Sequence, residues 1–163
     1  MTLIEALAAA RAQIPPAEAR LLLRHVLGRS AAWLEAHRDE ACAPEQLARF
    51  FALVERRAAG APVAYLLGRR EFFGRDFVVT PDVLIPRPET ELLVDILKSK
   101  VGAGGTPRIL DLGTGSGCIA VTLALELPTA SVTAVDVSVA ALDVARGNAA
   151  RPATNGNSPS TPS

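Results

Sequence analysis

Apolar positions recur along this chain at two different periods, and the change between them divides it. From residue 1 to about 60 the spacing is helical. Thr2 with Glu5 forms a capping box, and Leu3, Ile4 and Leu7 follow on one face. Pro15-Pro16 stops that helix, and Pro16 suits the first turn of the next. Leu21, Leu22, Val26 and Leu27 continue the pattern up to Gly28, a C-terminal cap. Ser30 can cap a short helix over "AAWLEAHRD". Pro44 opens "PEQLARFFALVERRAAG", closed at Gly60. Four or five amphipathic helices joined by short loops predict a small bundle.

The texture then shifts. "REFFGRDFVVT" holds two strand-like runs around Gly74-Arg75, which reads as a hairpin. Pro86 and Pro88 forbid helix before Arg87 and permit it just after. A helix should therefore begin near Pro88, with Glu89 and Glu91 at its positive end. Val101 to Thr106 is a glycine-rich link. From Pro107 the pattern is strand ("RILDL"), glycine turn, helix ("CIAVTLALEL", ended by Pro128), strand ("SVTAVD"), helix ("VAALDVARGNAA"). That is the opening of a parallel α/β sheet. The final "RPATNGNSPSTPS" has no apolar periodicity and is expected to be disordered.

Composition changes this picture little. Seventeen basic and seventeen acidic residues cancel over 163 positions, so no global field advertises a nucleic-acid partner. Half the residues are apolar, enough for a core, yet the apolar runs fall well short of the roughly 18 residues a membrane helix needs. Glu5 and the lack of a basic start argue against a signal peptide, so a cytoplasmic protein is expected. Cys42 and Cys118 match no metal or redox spacing and read as small buried hydrophobes in a reducing compartment. His25 and His37 lack partners at metal-ligand spacing and read as ordinary helix residues, and Trp33 as core. No metal site is expected.

The chemistry concentrates in "RILDLGTGSGCIA". Glycines at 113, 115 and 117 let a backbone turn tightly and approach a ligand. The loop follows a strand and opens a helix, so its backbone N–H groups should be free to face that ligand. A dinucleotide fingerprint wants its third glycine one residue later, where Cys118 stands. A phosphate-binding P-loop needs a Gly-Lys-Ser/Thr that is absent. Asp111 would repel a pyrophosphate and suit an ammonium group. Asp136, closing the second strand, can accept hydrogen bonds from ribose hydroxyls. These features together fit S-adenosylmethionine, which has an amino-acid end, a ribose and no phosphate. Thr114 and Ser116 can cap the helix, contact the ligand, or both. A nicotinamide-dependent oxidoreductase is disfavoured by the early third glycine and by Asp111.

"PVAYLLGRREFFGRDFVVTPDVLIPRPETELLVD", then "ILDLGTGSGCIAVTLA" and "AVDVS", resembles the peptide chain release factor N(5)-glutamine methyltransferases over residues 1 to about 151. The resemblance implies an α/β protein in four parts. Residues 1–62 would be a helical bundle that docks the substrate protein, and 63–86 a β-hairpin linker. Residues 87–150 would be the first β-α-β-α part of a class I, Rossmann-like methyltransferase domain, and 151–163 a disordered tail. It implies methylation of the glutamine side-chain amide in the Gly-Gly-Gln motif of peptide chain release factors, with no nucleic acid or membrane partner, by a monomer. By position, Gly113, Thr114, Gly115, Ser116 and Gly117 would line the cofactor, Asp136 would hold its ribose, and Asp111 would lie near its methionine end. "IPRPETE" would help wall the active site, with Arg87 and Glu89 on the substrate side; the same residues can equally form a rigid strand-to-helix junction.

One part of the family pattern is missing. An amide nitrogen is a poor nucleophile because its lone pair is delocalised, so the enzyme must fix the amide in line with the methyl group. In the family an Asn-Pro-Pro-Tyr motif after the fourth strand does this, and these 163 residues contain none. No catalytic residue is therefore assigned. The chain reads as a C-terminally truncated member, expected not to methylate as written. The alternative is a non-catalytic module that docks a release factor through its bundle. Two parallel strands with two helices cannot cover both sheet faces, so the second half is expected to be marginally stable.

Overall fold

A computed structural model describes residues 1–101 and 105–151. Part of the glycine-rich link and nearly all of the expected disordered tail lie outside the described residues. The chain forms two compact units that divide between Leu67 and Gly68.

The first unit is helical: α1 (Leu3–Ala10), α2 (Pro16–Leu27), α3 (Ala31–Ala36), α4 (Pro44–Ala58) and α5 (Val63–Leu67). Its ends follow the sequence signals. Thr2 accepts from the Glu5 N–H while the Glu5 carboxylate accepts from the Thr2 N–H at 2.8 Å. Gly28 closes α2 in the left-handed region at φ 63°. Leu22, Leu23, Phe50 and Val54 are fully buried and make the centre of the core. Burying Phe50 alone is worth about 2–3 kcal/mol. Arg57 of α4 grips Glu18 of α2 with two bonds, 2.6 and 3.1 Å. The third helix is shorter than "AAWLEAHRD" suggested. The His37 ring donates to the Trp33 carbonyl at 2.8 Å and caps the last turn, so the helix ends at Ala36. Trp33 is half-buried against the core and stacks on His37, 4.2 Å between ring centroids.

The second unit begins with the hairpin β1 (Arg69–Phe72) and β2 (Arg75–Val78). Its tip is Phe73-Gly74, one residue earlier than the sequence suggested. Both tip residues have positive φ, 52° and 74°, the backbone of a two-residue turn whose twist matches the strands. Phe73 is a bulky residue in that region, and it is held there. Glu91 accepts its N–H at 3.0 Å, and the Lys98 ammonium sits 5.1 Å from its ring centroid. A 3-10 turn, Pro88–Thr90, leads into α6 (Glu91–Val101).

Then follow β3 (Arg108–Leu112), α7 (Cys118–Glu126), β4 (Ser131–Val135) and α8 (Val139–Ala149). Strands β3 and β4 are parallel, with Arg108 opposite Ser131 and Leu112 opposite Val135. This is the α/β, β-α-β-α arrangement expected from the pattern. One sheet face packs on α7 and the hairpin through Ile109, Val132, Leu123, Phe72 and Phe77. The other face is bare among the described residues: Leu110 is 59% and Leu112 73% exposed.

Candidate functional site

Two parallel strands end side by side at Leu112 and Val135, and their carboxyl ends carry the site. Gly113, Gly115 and Gly117 all have positive φ, at 74°, 54° and 77°. That conformation costs any other L-residue about 1–2 kcal/mol, which explains glycine at every second position. Gly117 meets a second demand. A Cβ there would lie 3.0 Å from the Ala145 Cβ, because α8 packs directly on the loop.

The loop turns most of its N–H groups inward. Gly113 and Thr114 both donate to the Val135 carbonyl, at 2.8 and 3.0 Å, and Gly117 donates to Thr114 at 2.9 Å. Gly115 donates to the Asp136 carboxylate at 2.9 Å. The free donors expected from sequence are therefore committed at these four positions. The physical reason is the neighbouring strand: β4 ends level with the loop and offers a carbonyl and a carboxylate within reach. The outcome disfavours an anionic ligand, which needs such N–H groups unclaimed.

Asp136 receives a second N–H, from Ser138 at 2.9 Å on its other oxygen. These two backbone bonds, Ser138 first, hold its carboxyl below the usual aspartate range. Each oxygen keeps a lone pair, so the ionised group can accept further hydrogen bonds from hydroxyls. Asp111 accepts from the Thr114 hydroxyl at 2.7 Å, which orients it at the end of β3. Thr114 and Ser116 are buried, and the capping question at Ser116 resolves against a side-chain cap: Gly117 is the cap of α7, with no side-chain bond. Asp111, Thr114, Gly115 and Asp136 thus form one bonded cluster. Arg87 and Glu89 are exposed beside and within the 3-10 turn, and no hydrogen bond or ion pair joins either to that cluster among the described residues.

Sequence reading missed Asn148. It is 4% exposed, and its carboxamide bonds both the hairpin and the glycine loop. Its signal was available: it continues the stripe of Ala141 and Ala145 on α8, the side that faces inward. Cys118 begins α7, and burial pushes its thiol above the ordinary range. Cys42 is likewise free and buried. Among the described residues no group of three or more His, Cys, Asp or Glu converges as a metal site, and no helix is long and apolar enough to cross a membrane.

Known proteins match this chain over both of its units. Residues 2–68 match the model of the PrmC N-terminal domain, and residues 88–159 that of the methyltransferase small domain. A release factor glutamine methyltransferase of Bordetella pertussis is 56% identical over 138 residues, covering 85% of this chain and 51% of that protein. One of Burkholderia pseudomallei is 56% identical over 132 residues, covering 81% and 46%. A bifunctional methyltransferase of Rickettsia felis is 41% identical over 160 residues, covering 81% and 30%. The chain spans about half the length of the curated release factor relatives it matches.

Proposed function

This chain belongs to the release factor glutamine methyltransferase family over the residues it has, and from that premise we propose that its second unit is an S-adenosylmethionine site. The proposal extends to the substrate: the first unit docks a peptide chain release factor, whose Gly-Gly-Gln glutamine is the methyl acceptor. The observation that carries it is the bonded cluster at the strand ends. Two carboxylates flank a loop whose donors are turned inward, so the site offers acceptors and negative charge. A ligand with an ammonium and ribose hydroxyls complements that set; a pyrophosphate does not.

When bound, S-adenosylmethionine supplies an electrophilic methyl group on a sulfonium. The chain's residues bind and orient. Asp136 would accept from the ribose hydroxyls, and its depressed pKa keeps it ionised across the physiological range. Asp111, steadied by Thr114, would hold the ammonium end. The glycine loop, from Gly113 through Ser116 to Gly117, keeps side chains out of the ligand's path. Arg87 and Glu89 stand on the segment that walls the substrate side.

These residues bind but do not hold the acceptor amide, since no Asn-Pro-Pro-Tyr occurs among the 163. The chain by itself therefore binds cofactor and release factor without transferring methyl. Calorimetric titration should give measurable S-adenosylmethionine binding and none with NAD. Binding of NAD instead would sink the cofactor reading. Radiolabelled methyl transfer to a release factor above background would refute the claim that the chain is incomplete for catalysis.

A further inference from the structure

Asn148 joins two parts of the second unit, the hairpin and the glycine loop. The strand β2 ends at Val78. Its neighbour Val79 donates to the Gly68 carbonyl at 3.1 Å, so Val78 turns its own peptide groups away from β1. Those outward groups meet Asn148. The Val78 N–H donates to the Asn148 Oδ1 at 2.8 Å, and the Asn148 Nδ2 donates to the Val78 carbonyl at 3.0 Å. The carboxamide thus pairs with β2 as one residue of a strand would. The same Nδ2 donates to the Ser116 carbonyl at 2.9 Å, between Gly115 and Gly117. One turn earlier on α8, Ala145 abuts Gly117. An apolar residue at 148 would leave one N–H and two carbonyls without these partners in a buried place, each costly to leave unmade.

We infer that Asn148 is a positioning residue for the cofactor loop, and that it makes the hairpin and the loop open and close as one. The ligand part rests on the S-adenosylmethionine reading; the coupling does not. The functional consequence follows from chain connectivity. Beyond Val78 the backbone runs directly into the segment bearing Arg87 and Glu89. A ligand that steadies the loop would steady the base of that segment through one amide, a coupling between cofactor and substrate sides.

Hydrogen exchange on the whole 163-residue chain, without ligand and in low denaturant, tests the coupling directly. The Val78 and Gly117 amides should open with one shared free energy, below that of Leu110 in β3. Independent opening would overturn the inference. Asn148→Asp then removes both donors while keeping the shape and the acceptor. It should speed exchange at Val78 and Gly117 by about tenfold or more, since two hydrogen bonds are lost and the Val78 and Ser116 carbonyls are left facing a carboxylate, with Leu110 unchanged. If Leu110 accelerates equally, the variant has simply unfolded, and the wild-type exchange decides. Calorimetry closes the test: Asn148→Asp should bind S-adenosylmethionine about tenfold more weakly. Faster exchange with unchanged affinity overturns the positioning role. A wild-type chain that binds no S-adenosylmethionine defeats the cofactor reading instead, and the exchange data still judge the coupling.

Discussion

Asp136 uses both oxygens on the backbone, and that fixes what its substitution must do. Gly115 and Ser138 each donate to it, so the group both shapes the loop and offers charge outward. Asp136→Asn keeps an acceptor oxygen and loses the charge. Losing charge-assisted hydrogen bonds should lower S-adenosylmethionine affinity by about tenfold or more. Calorimetry at one pH checks it, and unchanged affinity would remove Asp136 from the site. The depressed pKa gives a further expectation. Its carboxyl stays ionised well below neutrality, so affinity should be flat between about pH 7 and 5 as far as this group is concerned. The glycines can be ranked the same way. Gly113→Ala meets only the left-handed φ, with no atom within 4 Å of its new Cβ, whereas Gly117→Ala also meets Ala145 at 3.0 Å. Urea unfolding should show Gly117→Ala as the costlier, about 2–4 kcal/mol against about 1–2.

At the level of elements, Glu126 at the end of α7 ties three of them together. Arg75 of β2 donates to it at 2.7 Å and Lys98 of α6 at 2.6 Å. These two bonds, Lys98 first, hold its carboxyl below the usual glutamate range. A carboxyl depressed on folding stabilises the folded state above its unfolded pKa, and that contribution is lost as pH falls through the folded value. All three side chains remain partly wet, so the contribution is modest, about 1 kcal/mol. Glu126→Gln should therefore lower the second unit's stability at pH 7 and flatten its fall in acid. A variant whose acid profile matches the parent would show the cluster to be idle. The same elements show what sequence could and could not say. Capping residues and prolines put α1, α2 and α4 in place because their signals are local. Strands β3 and β4 were legible from period and from the glycines between them. The direction of the loop N–H groups was not, because it depends on where β4 ends across the sheet. Nor were the partners of Asn148, which lie 70 and 32 residues away, although its place on the inward stripe of α8 was. The hairpin tip slipped by one because Phe73 adopts a backbone suited to glycine, held by Glu91 and Lys98 from α6.

Across the whole molecule the two units differ in how completely they bury their apolar surface. The first closes around Leu22, Leu23, Phe50 and Val54, with side-chain caps on α1 and α3 and one ion pair, Arg57–Glu18, bracing α2 and α4. The second covers one face of a two-stranded parallel sheet. Parallel strands are ordinarily buried on both faces, and a bare apolar face attracts whatever apolar surface it meets. Leu110, Leu112 and Val135 stand on that face, and an apolar groove of about 480 Å³ runs along β4 between α7 and α8. The units should thus respond differently to the same probe. A fragment of residues 1–67 should fold alone, giving a helical spectrum and a cooperative thermal transition with little binding of an apolar dye. The 163-residue chain should bind the dye while still folded, and Leu112→Lys, at a position 73% exposed, should reduce that binding with little change in stability. Dye binding by the fragment equal to that of the chain would place the exposed surface in the wrong unit. A Leu112→Lys protein that unfolds would mean the residue is covered in solution, as by a second copy of the chain.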